Sequence, residues 1–186
     1  MLFFATLLSI FIICANPLEQ TPEKWIDKKI DAKDRAEMAE LISYAPIPLG
    51  DKLSWHLQEG EEPPNWESLL GKVVIVQSFT NASSDARMAV STVTKTLKYT
   101  KNSDDVALVL IHTPEDYEKA TAYCERKRIK APTIIDSTGA ICNTIGFYKE
   151  PSNILIDKNG RVRHVGLRVK SMTEAMNALL EEPYDP

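Results

Sequence analysis

Sulfur offers the first candidate chemistry in this chain, and there is little of it. Three cysteines, Cys14, Cys124 and Cys142, stand far apart in 186 residues. A structural zinc site needs close Cys/His pairs and a disulfide scaffold needs a denser set. Neither is predicted, and no metal or cofactor is expected. His56, His112 and His164 are just as scattered, so a serine such as Ser83 has no base and orienting acid that the sequence places beside it. Cys124 and Cys142 leave three readings open. Cys124 follows Tyr117 and Ala120 at helical spacing and Cys142 sits between Ile141 and Ile145, so both can be buried thiols acting as small hydrophobes. An oxidising compartment would also permit a structural bridge between them. A redox pair is the third reading, although neither residue occupies an evident helix N-terminus, where a thiolate would be stabilised.

Other polar clusters reduce to ordinary structure. The turns at 136–139 (DSTG) and 157–160 (DKNG) carry oxygen atoms but are too short for a calcium loop. The run at 125–130 (ERKRIK) reads as a solvated helix C-terminus, where cations complement the dipole. Lys+Arg number 22 against 26 Asp+Glu, a net charge of −4, so the basic footprint of a nucleic-acid binder is missing. Hydrophobic residues make up 44% and charged ones 26%, which excludes disorder and collagen-like repeats and suffices for one domain with a core. Trp25, Trp55 and Trp66 are expected as core and joining anchors.

Leu2 to Cys14 reads LFFATLLSIFIIC, followed by Ala15, Asn16 and Pro17. The run is shorter than the roughly 20 apolar residues a spanning helix needs, so residues 1–15 are expected to be a secretory signal, with membrane contact only if it stays uncleaved. No Lys or Arg precedes it. Bulky Ile13 argues against Cys14 as a lipid-attachment cysteine. Residues 16–48 are expected to form an N-terminal helix and linker, and 49–186 the main domain.

Thr21-Pro22-Glu23 predicts an N-cap with proline at the first helical position, opening a helix with Trp25, Ile26, Ile30, Ala39 and Ile42 on or near one stripe. Pro46 and Pro48 end it. Residues 53–57 alternate like a half-buried strand, and Pro63-Pro64 lead into a short turn at 66–70. The β-branched run 73–79 predicts a central strand covered on both faces. A helix follows over 83–99 with Met88, Val90, Val93 and Leu97 apolar, then a strand at 107–111. Thr113-Pro114-Glu115-Asp116 repeats the capping signature before a helix to 126. A short strand at 134–135, a short helix at 141–147 and a hairpin of 153–156 with 162–165 around Asn159-Gly160 come next. Ser171 and Glu174 predict a capping box for the last helix. The order implies an α/β thioredoxin fold, a mixed central sheet flanked by helices on both faces, with an N-terminal helical extension.

Four segments carry a closer resemblance: Trp66-Glu67-Ser68-Leu69-Leu70-Gly71-Lys72-Val73-Val74; Phe79-Thr80-Asn81-Ala82-Ser83-Ser84-Asp85-Ala86-Arg87; Pro151; and Ile154-Leu155-Ile156-Asp157-Lys158-Asn159-Gly160-Arg161-Val162. In this order the chain resembles the exported thioredoxin-like thiol-disulfide interchange proteins of the TlpA and ResA type, the redoxin group. The resemblance implies Cys-x-x-Cys between the first strand and the following helix, because a helix N-terminus stabilises a thiolate. Aligned on Arg87, those positions are Ser83 and Ala86, and no cysteine lies between Cys14 and Cys124. Serine is too weak an acid to replace the attacking thiolate, and alanine cannot resolve an intermediate. The Asn81-Ala82-Ser83 sequon matters only in a eukaryotic secretory route.

The resemblance also implies a cis proline at Pro151 and a peptide groove formed by Ser83, Ser84, Glu150 and Pro151, with an acidic Glu150 unusual for its place. The expected function is an exported binding or scaffolding module with a degenerate site and a protein or peptide partner in the cell envelope. The contrasting reading is an oxidoreductase using Cys124 and/or Cys142. A third makes the domain purely structural, with the 21–43 helix as an oligomer contact.

Overall fold

The computed structural model describes residues 21–44, 47, 49–50, 52–99 and 103–185. The expected signal segment with Cys14, the side chain of Ile42 and most of the expected linker lie outside the described residues. The helices are α1 (Ala32–Tyr44), α2 (Trp66–Leu69), α3 (Ser84–Tyr99), α4 (Ala120–Lys127), α5 (Ala140–Ile145) and α6 (Met172–Glu181). The strands are β1 (Trp55–His56), β2 (Val73–Phe79), β3 (Val106–His112), β4 (Thr133–Ile135), β5 (Asn153–Ile156) and β6 (Val162–Val165). They form one six-stranded sheet in the order β1-β4-β3-β2-β5-β6. β2 runs parallel to β3 and antiparallel to β5, and β1 and β6 are antiparallel to their neighbours. The sheet is mixed, with helices on both faces.

Every residue of β2 is buried, which its unbroken apolar run requires of a strand covered on both sides. Val73, Ile75 and Phe79 pack with Val90 and Val93 of α3 and with Met172, Met176 and Leu179 of α6. Val74 and Val76 face the other way, against Met38 and Ala39 of α1 and Ile141 and Ile145 of α5. The helix at the N-terminal side therefore packs on the chain's own sheet.

The single N-terminal helix expected from Thr21 is instead split. A 3-10 turn at Glu23–Trp25 is followed by Ile26, which bridges to Leu167 beyond β6, and α1 starts only at Ala32. The Thr21 hydroxyl lies 2.9 Å from His164 Nδ1 in a buried pair, so it is taken from capping. Asp31 takes over, its carboxylate accepting from the Lys33 N–H at 2.7 Å.

A second shift has the same kind of cause. The Thr113 hydroxyl donates to the Glu150 carboxylate and caps nothing. Asp116 adopts a left-handed φ of 59°, and a 3-10 turn at Tyr117–Lys119 precedes α4. Tyr117, expected on the buried stripe, is thereby exposed, while Ala120, Tyr123 and Cys124 are buried. Met88 of α3, also expected to be covered, is 63% exposed.

The capping box expected at Ser171 does not form, because Glu174 reaches Lys24 at 2.6 Å. A capping box forms at Asn65 and Ser68, turning the expected turn into α2. In the β5–β6 connection only Gly160 takes positive φ, at 76°. The Asp157 carboxylate shapes that turn by accepting from the N–H groups of Asn159 and Arg161, each at 2.9 Å. Trp25 is buried in the core, and the indoles of Trp55 and Trp66 donate to the carbonyls of Gly50 and Ile47 at 2.9 and 2.8 Å.

Candidate functional site

The C-terminal end of β2 passes through Thr80, Asn81, Ala82 and Ser83 into α3. The Ser83 hydroxyl accepts from the Ala86 N–H at 3.3 Å, so Ser83 is the residue that caps the helix. Ser84 is exposed and Ser83 half-buried, while Ala86 is fully covered. Asp85 sits in the first turn, where the helix dipole favours an anion. The loop is tied down on its inner side. Thr80 donates to the Glu115 carbonyl at 2.9 Å and accepts from the Ala82 N–H at 3.1 Å. The Arg87 guanidinium donates to the Asn81 carbonyl.

His112, at the end of β3, lies beneath this loop and was not singled out as a site residue from sequence. It is fully buried, pairs in register with Phe79 and stands edge-on to that ring at 4.9 Å. Its Nε2 is 2.6 Å from Asn81 Oδ1 and its Nδ1 is 2.7 Å from the Thr113 carbonyl. Burial lowers its pKa below the ordinary histidine value, against the pull of the Thr113 carbonyl and of Asp116. The one sequence signal that could have marked it is a polar residue closing the apolar run VALVLIH.

Pro151 reaches the same end of the sheet from β5. The Glu150–Pro151 peptide bond is cis. The next residue holds the segment to β2, with the Ser78 N–H donating to the Ser152 carbonyl and the Ser152 N–H to the Ser78 hydroxyl, both at 2.8 Å. Glu150 is half-buried and turned to Thr113; burial raises its pKa and the Thr113 hydrogen bond opposes that rise.

A cavity of about 270 Å³ opens beside Pro151, with Met88, Ala89 and Val169 as its apolar surface. Its rim is charged: Asp27 and Lys29 from the N-terminal segment, Asp85 of α3 and Lys170. Lys29 and Asp85 pair across the rim at 3.0 Å. The structure thus brings Pro151 and the first turn of α3 together around this cavity, whereas Ser83, Ser84 and Glu150 do not line it. The wall from Asp27 to Lys29 was not foreseen, because it depends on where the N-terminal segment crosses the fold.

Cys124 and Cys142 are both free and buried, and they belong to separate core clusters on opposite faces of the sheet. They are not brought together. Burial pushes the Cys124 thiol up to about 11. Cys142 does lie in the first turn of α5, a helix N-terminus that the sequence had not made evident. Its N–H is taken by the Asp136 carboxylate at 2.8 Å, and burial with that nearby charge raises its pKa rather than lowering it. Neither thiol is set up as a nucleophile. Among the described residues no group of three or more His, Cys, Asp and Glu side chains is placed to hold a metal ion, and no helix is long and apolar enough to cross a membrane.

Solved structures share this architecture. A thioredoxin-like superfamily protein superposes with a TM-score of 0.61 at 20% identity, covering 75% of this chain and 98% of its own. A thiol-disulfide isomerase from Corynebacterium glutamicum gives 0.58 at 21% identity, covering 74% and 99%. A secreted thiol-disulfide isomerase from the same organism gives 0.56 at 15%, covering 73% and 92%. At these identities the likeness is one of fold. No curated protein matches the chain. Residues 51–180 match the family model described as Redoxin, and with that span, which holds all six strands of the sheet, the chain belongs to the redoxin family.

Proposed function

We propose that this protein is an exported redoxin-family binding module that has lost the redox-active dithiol and holds an extended segment of a protein or peptide partner beside Pro151. One observation carries the reading. Where a thiolate would need the unpaired N–H groups at the mouth of α3, Ser83 supplies a hydroxyl cap and Ala86 a buried methyl, while an open apolar cavity persists next to them. Binding geometry is kept and the sulfur chemistry is not. The cavity is of the size that takes one or two side chains, and the neighbouring charged rim suits a polar backbone entering from solvent. The apolar run Leu2 to Cys14 supports export, and a cell-envelope partner follows from that placement.

The test is a pair of assays on the full chain. Extended peptides of varied sequence are titrated while backbone resonances are followed by NMR. Saturable shifts are expected at Met88, Ala89 and Val169, with affinity reduced about tenfold or more in Met88→Asp, as for loss of a buried contact. Disulfide reduction of insulin is expected not to exceed the uncatalysed rate. Turnover that disappears in Cys124→Ser or Cys142→Ser would overturn the reading in favour of an oxidoreductase.

A further inference from the structure

Four polar groups stand in a row under the loop that opens α3: the Thr113 carbonyl, the His112 ring, the Asn81 amide and the Asp116 carboxylate. The separations are 2.7 Å from the carbonyl to Nδ1, 2.6 Å from Nε2 to Asn81 Oδ1 and 3.4 Å from Asn81 Nδ2 to Asp116 Oδ2. A carbonyl can only accept, so Nδ1 carries a hydrogen. An ionised carboxylate can also only accept, so Asn81 turns its NH2 toward Asp116 and leaves its oxygen facing Nε2. In that arrangement Nε2 donates as well, and the ring is an imidazolium. Turning the Asn81 amide over satisfies a neutral ring but sets its oxygen 3.4 Å from the Asp116 carboxylate and gives up the hydrogen bond there. All three contacts of the row are made together only when it holds one proton more than a neutral imidazole and a carboxylate.

We propose that His112 is a proton-dependent positioning residue for the 80–83 loop: the row holds the loop in the described conformation when it carries that extra proton, and releases the Asn81 side chain when it does not. The released state is indicated by the geometry. The Asn81 backbone N–H lies 3.4 Å from Nε2, so a ring that has lost its Nε2 hydrogen can accept from it, while the Asn81 amide, whose oxygen stands 2.6 Å from Nε2, must turn or move away and lose its contact with Asp116. The loop leads directly into the turn that carries Asp85 on the cavity rim, so the proposal rests on the binding reading for its functional meaning and adds a regulation of that site.

The charged surroundings are mixed. Asp116 is paired with Lys119 at 3.2 Å. The Glu115 carbonyl takes the Thr80 hydroxyl, Glu150 takes the Thr113 hydroxyl, and Arg87 from α3 holds the Asn81 carbonyl. From the β4 side the Asp136 N–H donates to the His112 carbonyl at 2.9 Å. Tyr123 of α4 packs on Phe79. Asp116 favours the charged ring and burial opposes it, which puts the transition on the acidic side of an ordinary histidine.

The experiment is an NMR titration of the full chain without ligand, from about pH 7.5 to about pH 4, reading the His112 ring nitrogens, the Asn81 side-chain NH2 and the amides of residues 81–83. Nδ1 is expected to stay protonated throughout. Nε2 is expected to gain its proton with the same midpoint at which the Asn81 and loop signals move. In Asp116→Asn, a residue at home in the left-handed conformation, the new amide can donate to Asn81 Oδ1, and Asn81 can donate to the neutral ring. The loop shift is then expected to vanish and the proton affinity of His112 to fall roughly tenfold. A ring neutral up to acid unfolding, loop signals that ignore its titration, or an unchanged response in Asp116→Asn would each overturn the proposal. No peptide enters the measurement, so its failure and the failure of the binding reading are separate results.

Discussion

Cys124 and Cys142 point into opposite faces of the same sheet, the first packed with Ile75 and Phe79 and the second with Val74 and Val76. A disulfide between them would require the β-carbons within about 4 Å of each other, and the sheet itself stands between. A thiol-reactive dye is therefore expected to label neither residue in the native protein. In denaturant both should label, to the same extent with and without prior reductant. Lower labelling without reductant would show a bond that this packing forbids.

Burial and the neighbouring Arg163 push His164 down to about 4, whereas in the unfolded chain it titrates near 6.5. Between those values the unfolded chain binds a proton that the native protein does not, so stability falls as pH drops through that window. The loss is about 3 kcal/mol across it. Denaturant unfolding of the parent and of His164→Gln at about pH 7 and about pH 4.5 checks this, and the variant should show the shallower dependence.

Gly146 caps α5 with φ 72°, and a β-carbon there would meet the Met38 backbone at 2.9 Å. Gly146→Ala must both adopt a strained backbone and push α1 off α5. A loss of about 2–3 kcal/mol is expected from denaturant midpoints, with signals of Met38 and Ala39 among the most displaced.

Placing sulfur at both motif positions, Ser83→Cys with Ala86→Cys, is expected to create thiol-disulfide exchange that the proposed function denies to the parent. The first thiol would take over the N–H that Ser83 now accepts from, and its pKa should fall below about 8.5. Insulin reduction and a pH titration of thiolate absorbance measure the two effects. A folded double variant with no turnover would argue against Ser83 and Ala86 standing at the motif positions.

What could be read from sequence followed the range of each interaction. β2, β5 and β6 were legible because burial on both faces, or a hairpin turn, is written into consecutive residues. The N-terminal helix was misjudged because the partner that draws Thr21 from its cap, His164, lies 143 residues away. The start of α4 failed likewise, since Thr113 answers to Glu150. The start of α3 at Ser83 was legible through local pattern, and the cis bond at Pro151 through the family resemblance. His112 was not, because its role depends on Asn81 and Asp116 in two other segments. The cavity rim escaped for the same reason.

The bridge from Ile26 to Leu167 has a consequence for the molecule's solubility. The N–H of Asp27 and the carbonyl of Trp25 bond to Gly166 and Arg168 at 2.9 and 2.8 Å, so backbone just past β6, at the sheet's outer margin, is already engaged by the chain itself. That stretch offers a foreign strand little to zip onto. Cutting the polypeptide just after Ile30 would bare it, and self-association into fibrous or amorphous deposits is what an unguarded margin of this kind invites.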